Sequence, residues 1–227
     1  MRAALDAALI AAEEPPRDCP LCHRLVDYRL KNQVAKPDWF NAPVPSFGPR
    51  DARLLIVGLA PGVAGANRTG RPFTGDFAGE LLYATLDKFG FALGTYAARP
   101  DDGLQLIDCR ITNAVRCVPP ENKPTPQEAK TCNLFLRAQI EAMKKLRVIV
   151  ALGKIAHDAT LRALDTKLSL CGFSHCAHHQ IRDALTLVDS YHCSRYNTNT
   201  GKLTAPMFEA IFAAVRLKIP APSKEPT

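Results

Sequence analysis

Four cysteines stand in a pattern that suits a metal ion or a metal cluster. Cys19-x2-Cys22 is a close pair, while Cys117 and Cys132 bracket a proline-rich stretch and the start of a helix. One close pair and two distant thiols make a four-thiolate set for zinc or a [4Fe-4S] cluster, and spacing alone leaves both open. The other four, Cys109, Cys171, Cys176 and Cys193, read as single buried or loop residues. Cys171, His175, Cys176, His178 and His179 carry zinc-ligand types as well. They lie between elements with no second distant pair, and a zinc site is not expected there.

A second concentration of chemistry runs from Gly58 to Asp76, GLAPGVAGANRTGRPFTGD. Its glycines at 58, 62, 65, 70 and 75 permit close approach of backbone to a ligand. The loop is neither a dinucleotide fingerprint, since no G-x-G-x-x-G occurs, nor a P-loop, since Gly153-Lys154 and Gly201-Lys202 are followed by Ile and Leu. Nucleotide-cofactor binding therefore loses its support. Asn67, Arg68, Arg71, Phe73 and Asp76 among those glycines favour a site over an ordinary crossover. Asn113, at an expected strand end, has an amide able both to donate and to accept toward a base edge. His192 lies in Ser190-Tyr-His-Cys-Ser-Arg-Tyr-Asn197, where a strand opens into a polar, aromatic loop, a position suited to catalysis.

Buried strands alternating with helices must position these residues. Arg53–Leu59, Gln105–Val115, Arg147–Leu152 and Ala184–Asp189 read as strands. Helices are expected at 1–14, beyond Cys22, at Phe77–Phe89, from a Thr125 cap with Pro126 and Glu128 to about Leu146, at Lys154–Leu164 and at Leu203–Leu217. The proline-rich passage 36–50 reads as loop. The pattern predicts an α/β fold, a Rossmann-like three-layer α/β/α sandwich around a mainly parallel sheet, in one domain over 1–219 with a flexible tail at 220–227. In such sheets ligands collect beyond the carboxyl ends of the strands, which here means the Gly58 loop, Asn113–Pro120, Gly153 and Ser190–Thr200.

Composition bounds the rest. The chain has 227 residues, 47% hydrophobic and 22% charged, enough for a sizeable core. No window approaches the roughly 18 apolar residues of a spanning helix, and Asp6, Glu13 and Glu14 interrupt the alanine-rich start, so a cytoplasmic protein is expected. A formal charge of +7 suits a polyanionic partner without identifying one.

Gly58-Leu-Ala-Pro-Gly62, Gly65-Ala-Asn-Arg-Thr-Gly-Arg-Pro-Phe-Thr-Gly-Asp76, Ile111-Thr-Asn-Ala-Val-Arg-Cys117 and His192-x-Ser-Arg-Tyr-Asn197, with the four-cysteine spacing, resemble one known family. It is the uracil-DNA glycosylases of family 5, the type B enzymes, close relatives of the iron–sulfur family 4 enzymes. The resemblance implies the uracil-DNA glycosylase fold and excision of uracil from DNA by cleavage of the N-glycosidic bond. It implies that Cys19, Cys22, Cys117 and Cys132 ligate a structural [4Fe-4S] cluster. It assigns Phe73 to stacking on the extruded base, Asn113 to reading its edge and His192 to its carbonyl oxygen, with Gly58, Ala60 and Gly62 around the base.

Many glycosylases present a water-positioning carboxylate or Asn at the start of the first motif. Gly62 and Val63 stand there in this chain, and Asp76 is the nearest acidic candidate, for orienting water or stabilising the sugar cation. A plain helix-capping role for Asp76 is the alternative. Asn67, Arg68, Arg71, Arg195, Tyr196 and Asn197 are the expected DNA contacts. Cys193 stands where the family usually has proline. Other readings are a broader deaminated-base glycosylase that also takes hypoxanthine or xanthine, with room at Gly62, and a metal-stabilised nucleic-acid-binding module without chemistry.

Overall fold

A computed structural model describes residues 12–220. Its centre is a five-stranded sheet ordered β4-β1-β5-β7-β6, built from β1 (Leu54–Gly58), β4 (Cys109–Asn113), β5 (Val148–Leu152), β6 (His178–Arg182) and β7 (Leu185–Ser190). The first four strands in that order run parallel, and β6 closes one edge antiparallel to β7. All residues of β1, β4, β5 and β7 are buried between two helical layers; β1 and β5 are continuous apolar runs, whereas β4 and β7 also bury polar residues such as Asn113 and Asp189.

The helices are α1 (His23–Ala35), α2 (Ala66–Thr69), α3 (Phe77–Lys88), α4 (Pro126–Ala142), α5 (Lys154–Ala163), α6 (Arg195–Asn199) and α7 (Ala205–Lys218). Alternate strand residues divide the core. Leu54, Ile56, Val150 and Val188 pack with Leu82 and Leu86 of α3 and Phe208 and Phe212 of α7. Leu55, Val57, Ile149 and Leu187 pack on the other face with Leu136 and Ile140 of α4 and Ala156 and Ala159 of α5. This is the expected three-layer α/β/α arrangement. No helix among the described residues is long and apolar enough to cross a membrane.

Several boundaries differ from the sequence reading. The helix expected at 1–14 lies outside the described residues as far as position 11, and Ala12–Glu14 are not helical. Glu14 instead places its carboxylate against the Ser46 amide and the guanidinium groups of Arg110 and Arg116. The run 105–115 is two strands: β3 (Gln105–Leu106) pairs with β2 (Ala92–Leu93), and Asp108, at φ 53°, turns the chain into β4. The helix from Thr125 ends at Ala142. Of the expected tail, Pro220 is described and accepts a hydrogen bond from Arg53; the remainder lies outside the described residues.

The start of α4 is a complete capping box, with the Thr125 hydroxyl accepting from the Glu128 amide and the Glu128 carboxylate accepting from the Thr125 amide. Glu128 also forms a two-pronged ion pair with Arg24 of α1 at 2.7 Å, so one carboxylate joins the two helices that carry or flank three of the four paired cysteines. Thr125→Ala should cost about 1 kcal/mol of folding stability, measured by urea unfolding. No change in the midpoint would contradict the capping geometry.

Candidate active site

The carboxyl ends of β1, β4 and β7 converge on one cleft. Gly58 and Asn113 are partners at the last register position of the β1–β4 ladder, and β7 delivers His192 two residues beyond Ser190. A pocket there is lined by Ala60, Pro61, Gly62, Ala66, Phe73, Asp76, Ala78, Asn113 and His192. It opens into a wider cleft edged by Val63, Ala64, Phe77, Ser194 and Arg195. Phe73 and His192 are near-parallel, with ring centroids 6.0 Å apart.

Asn113 is the most demanding group. It is buried, and its Oδ1 has no hydrogen-bond partner. A buried amide oxygen left unpaired costs roughly 1–3 kcal/mol, which a ligand donor would recover. Gly58 keeps the space open, because a Cβ there would run into Asn113 Oδ1 and come within 2.6 Å of the Phe73 ring.

Phe73 holds a left-handed backbone, φ 52°, which a bulky residue adopts only when its surroundings impose it. Tyr83 donates to the carbonyl of Pro72 at 2.7 Å and Tyr96 to that of Phe73 at 3.2 Å. Arg71 lies among Phe47, Tyr83 and Tyr96, and pairs with Asp102 through two 2.7 Å bonds. Asp102 in turn accepts from the amides of Ala97 and Leu104. This clamp fixes where the Phe73 ring points.

Asp76 has two tasks. Its Oδ1 caps α3 by accepting from the Gly79 amide at 3.1 Å. Its Oδ2 faces the glycine loop, where a Cβ on Gly65 would stand 2.5 Å away and one on Gly62 3.4 Å away. Burial raises the Asp76 carboxyl above the usual range, against the opposing pull of the helix amides. Burial also pulls His192 down to about 4, so its ring is neutral at physiological pH. The side-chain amide of Asn197 donates to the His192 carbonyl at 2.8 Å, and Cys193, fully buried, places its thiol 3.5 Å from the Ala78 carbonyl. Those two contacts steady the loop at the position where proline would have stiffened it.

The model of the uracil DNA glycosylase superfamily matches residues 45–216, which span the strand ends, the glycine loop and the His192 loop. The chain belongs to this superfamily. A type-5 uracil-DNA glycosylase of Thermus thermophilus is 43% identical over 205 residues, covering 88% of this chain and 93% of the relative. The type-5 enzyme of Mycobacterium leprae is 42% identical over 203 residues, covering 86% and 88%. A type-4 uracil-DNA glycosylase of Thermotoga maritima is 38% identical over 135 residues, covering 58% and 62%.

Superfamily membership frames the placement of the remaining residues. Ala60, Gly62, Phe73, Asp76, Asn113 and His192 line one pocket, with Gly58 beside Asn113 at its floor. Arg68, Arg195 and Tyr196 are exposed at the rim, with the Arg195 guanidinium 5.3 Å from the Phe77 ring centre. Two expected DNA contacts, Arg71 and Asn67, are corrected. Arg71 is 5% exposed and fully engaged in the clamp, so it has no fork left for a phosphate. Asn67 is 1% exposed, with its amide on Asn41. Asn197 is half-buried and donates one amide N–H to the His192 carbonyl. The clamp partners Tyr83, Tyr96 and Asp102 lay outside the sequence reading, since they stand in a helix and an irregular loop with no motif to mark them.

Arg71→Ala should lower stability by roughly 3–5 kcal/mol, because it strands the buried Asp102 charge. Unaltered denaturant unfolding, together with weaker DNA binding, would return Arg71 to the role of a phosphate contact.

Proposed function

We propose that this protein flips uracil out of DNA into the Phe73–Asn113–His192 pocket and hydrolyses its N-glycosidic bond, leaving an abasic site. The unpartnered Oδ1 of Asn113 carries the reading. Uracil offers an N–H donor at N3 beside a carbonyl acceptor at C4, which matches an amide that accepts with Oδ1 and donates with its NH2. Unstacking a nucleotide costs a few kcal/mol, and the Phe73 ring offsets part of this by stacking on the base. The relatives' names, type-5 uracil-DNA glycosylase, support the same substrate.

Bond cleavage leaves negative charge on the departing base and positive charge on the sugar. Neutral His192 donates to the base carbonyl where the negative charge grows, in a site already fixed for that purpose. Asp76, with Oδ2 turned to the cleft, supplies the negative group near the sugar and a seat for the attacking water. Arg68, Arg195 and Tyr196 meet the DNA backbone and the gap left by the base, and the +7 charge draws the duplex in.

We further infer that Cys19, Cys22, Cys117 and Cys132 hold a [4Fe-4S] cluster of structural purpose. The four thiols line one cavity with Leu25, Val115 and Phe135. The Arg29 guanidinium lies 3.9 Å from Cys117 Sγ, and the Arg116 amide 3.4 Å from Cys132 Sγ; both are donors that suit anionic sulfur. Burial first, then the neighbouring sulfurs, push Cys22 and Cys117 up to about 12. Cys132, raised chiefly by burial, reaches about 11. Thiols held this high carry their protons near neutral pH, so binding a cluster would release them. A zinc about 2.3 Å from each sulfur would draw them to within about 3.8 Å of one another. The motif resemblance set out above supports a cluster among these thiols rather than a single zinc ion. A cluster held by these residues would cross-link α1, α4 and the segment after β4, leaving base excision to the pocket residues.

Incubation with a uracil-containing duplex, followed by alkali cleavage, should yield abasic-site breaks. His192→Ala should slow them about 10²–10³-fold with DNA affinity unchanged. Bound DNA without abasic product would leave only a binding module, and an undiminished rate in the variant would remove His192 from the chemistry. Cys117→Ser should lower the iron content of purified protein; an unchanged iron count would take Cys117 out of the ligand set.

A further inference from the structure

We propose that His157, His179 and Asp189 form a second metal site, apart from the four paired cysteines, for one borderline dication such as zinc. Asp189 sits in β7 with no exposed surface, and each of its oxygens faces an imidazole. His157 Nδ1 is 2.7 Å from Oδ1, and His179 Nε2 is 3.0 Å from Oδ2. This is the only trio of metal-binding side chains among the described residues whose ligand atoms all lie within 4.8 Å of one another.

The hydrogen bonding calls for positive charge at His157, from a proton or from a metal ion. His157 Nε2 is 3.0 Å from the carbonyl oxygen of Cys171, which can only accept, so the neutral ring keeps its proton there. Nδ1 then turns a lone pair toward a carboxylate that has only lone pairs to offer. A proton between them satisfies that contact, and a neutral His179 donating from Nε2 satisfies the other oxygen. A metal ion would replace both of these protons and bind the two imidazoles and the carboxylate at one point.

The chemistry of the trio selects the ion. Two imidazoles and a carboxylate suit zinc and its d-block neighbours, whereas calcium and magnesium require oxygen cages. A carbonyl accepting from the far nitrogen of a histidine is the usual outer partner of a metal-bound imidazole. Zinc bonds of about 2.0–2.1 Å put ligand atoms about 3.3 Å apart, so each imidazole draws back by a few tenths of an ångström. His157 is buried, but the His179 side chain is 14% exposed and gives the ion a path inward and a water for its fourth position. The bound ion would join α5, β6 and β7 three residues before His192.

Protein loaded with iron, stripped of loosely held metals by a mild chelator, is titrated with zinc by calorimetry and analysed for both elements. Wild-type protein and Cys171→Ser should each bind one zinc per chain beyond the iron, and His179→Ala should bind none. Zinc should raise the Tm of the wild type by a few degrees and leave that of His179→Ala unmoved. Cobalt in place of zinc should show ligand-field bands without thiolate charge transfer. Absence of stoichiometric zinc in the wild type would overturn the site and leave a buried imidazolium–carboxylate pair. Full zinc binding by His179→Ala, or a thiolate band with cobalt, would overturn it equally by putting the metal elsewhere. None of these readouts depends on base excision.

Discussion

The amide oxygen of Asn113, buried with nothing to bond, is the constraint around which the cleft is organised. An orphan acceptor persists in a folded protein when a ligand repays its desolvation. Its position is not adjustable. Asn113 ends a parallel strand buried on both faces, paired in register with Gly58, so its side chain projects into the cleft at a height set by the sheet. Gly58 has to be glycine for the same reason, since any side chain there would fill the space that the orphan faces.

The opposite wall depends on a second restraint. Phe73 occupies a backbone conformation costing of order 1–3 kcal/mol, and two tyrosine hydroxyls with the Arg71–Asp102 pair hold it there. That outlay places an aromatic face against the pocket before any base arrives. Asp76 and His192 extend the same economy: Asp76 caps a helix with one oxygen and faces the cleft with the other, and His192 is kept neutral by burial while Asn197 steadies its carbonyl.

The sheet and the pocket residues were legible because they obey strong local rules. Uninterrupted apolar runs mark buried parallel strands, and strand ends followed by Gly, Asn or His mark the ligand crevice. Arg71 and Asn67 were misread because a polar residue in a glycine-rich loop looks solvent-facing. Only the fold reveals that Asp102, thirty-one positions away, comes back to receive the Arg71 guanidinium. The edge strand β6 was missed for a related reason. Its residues alternate between half-buried and exposed, with histidine and glutamine in place of a β-branched run, and only pairing with β7 makes them a strand. The local cluster of Cys and His around 171–179 dissolves in three dimensions: His175 accepts from the Tyr191 amide, while His179 joins the distant His157 and Asp189.

The central claim is that Asn113 Oδ1 takes its missing hydrogen bond from N3 of the extruded base. Comparing kcat/KM for uracil and N3-methyluracil in otherwise identical duplexes tests it most directly. A site built around that bond rejects the analogue lacking the donor by about 10⁴-fold or more. Excision of the two bases at comparable rates would contradict the account.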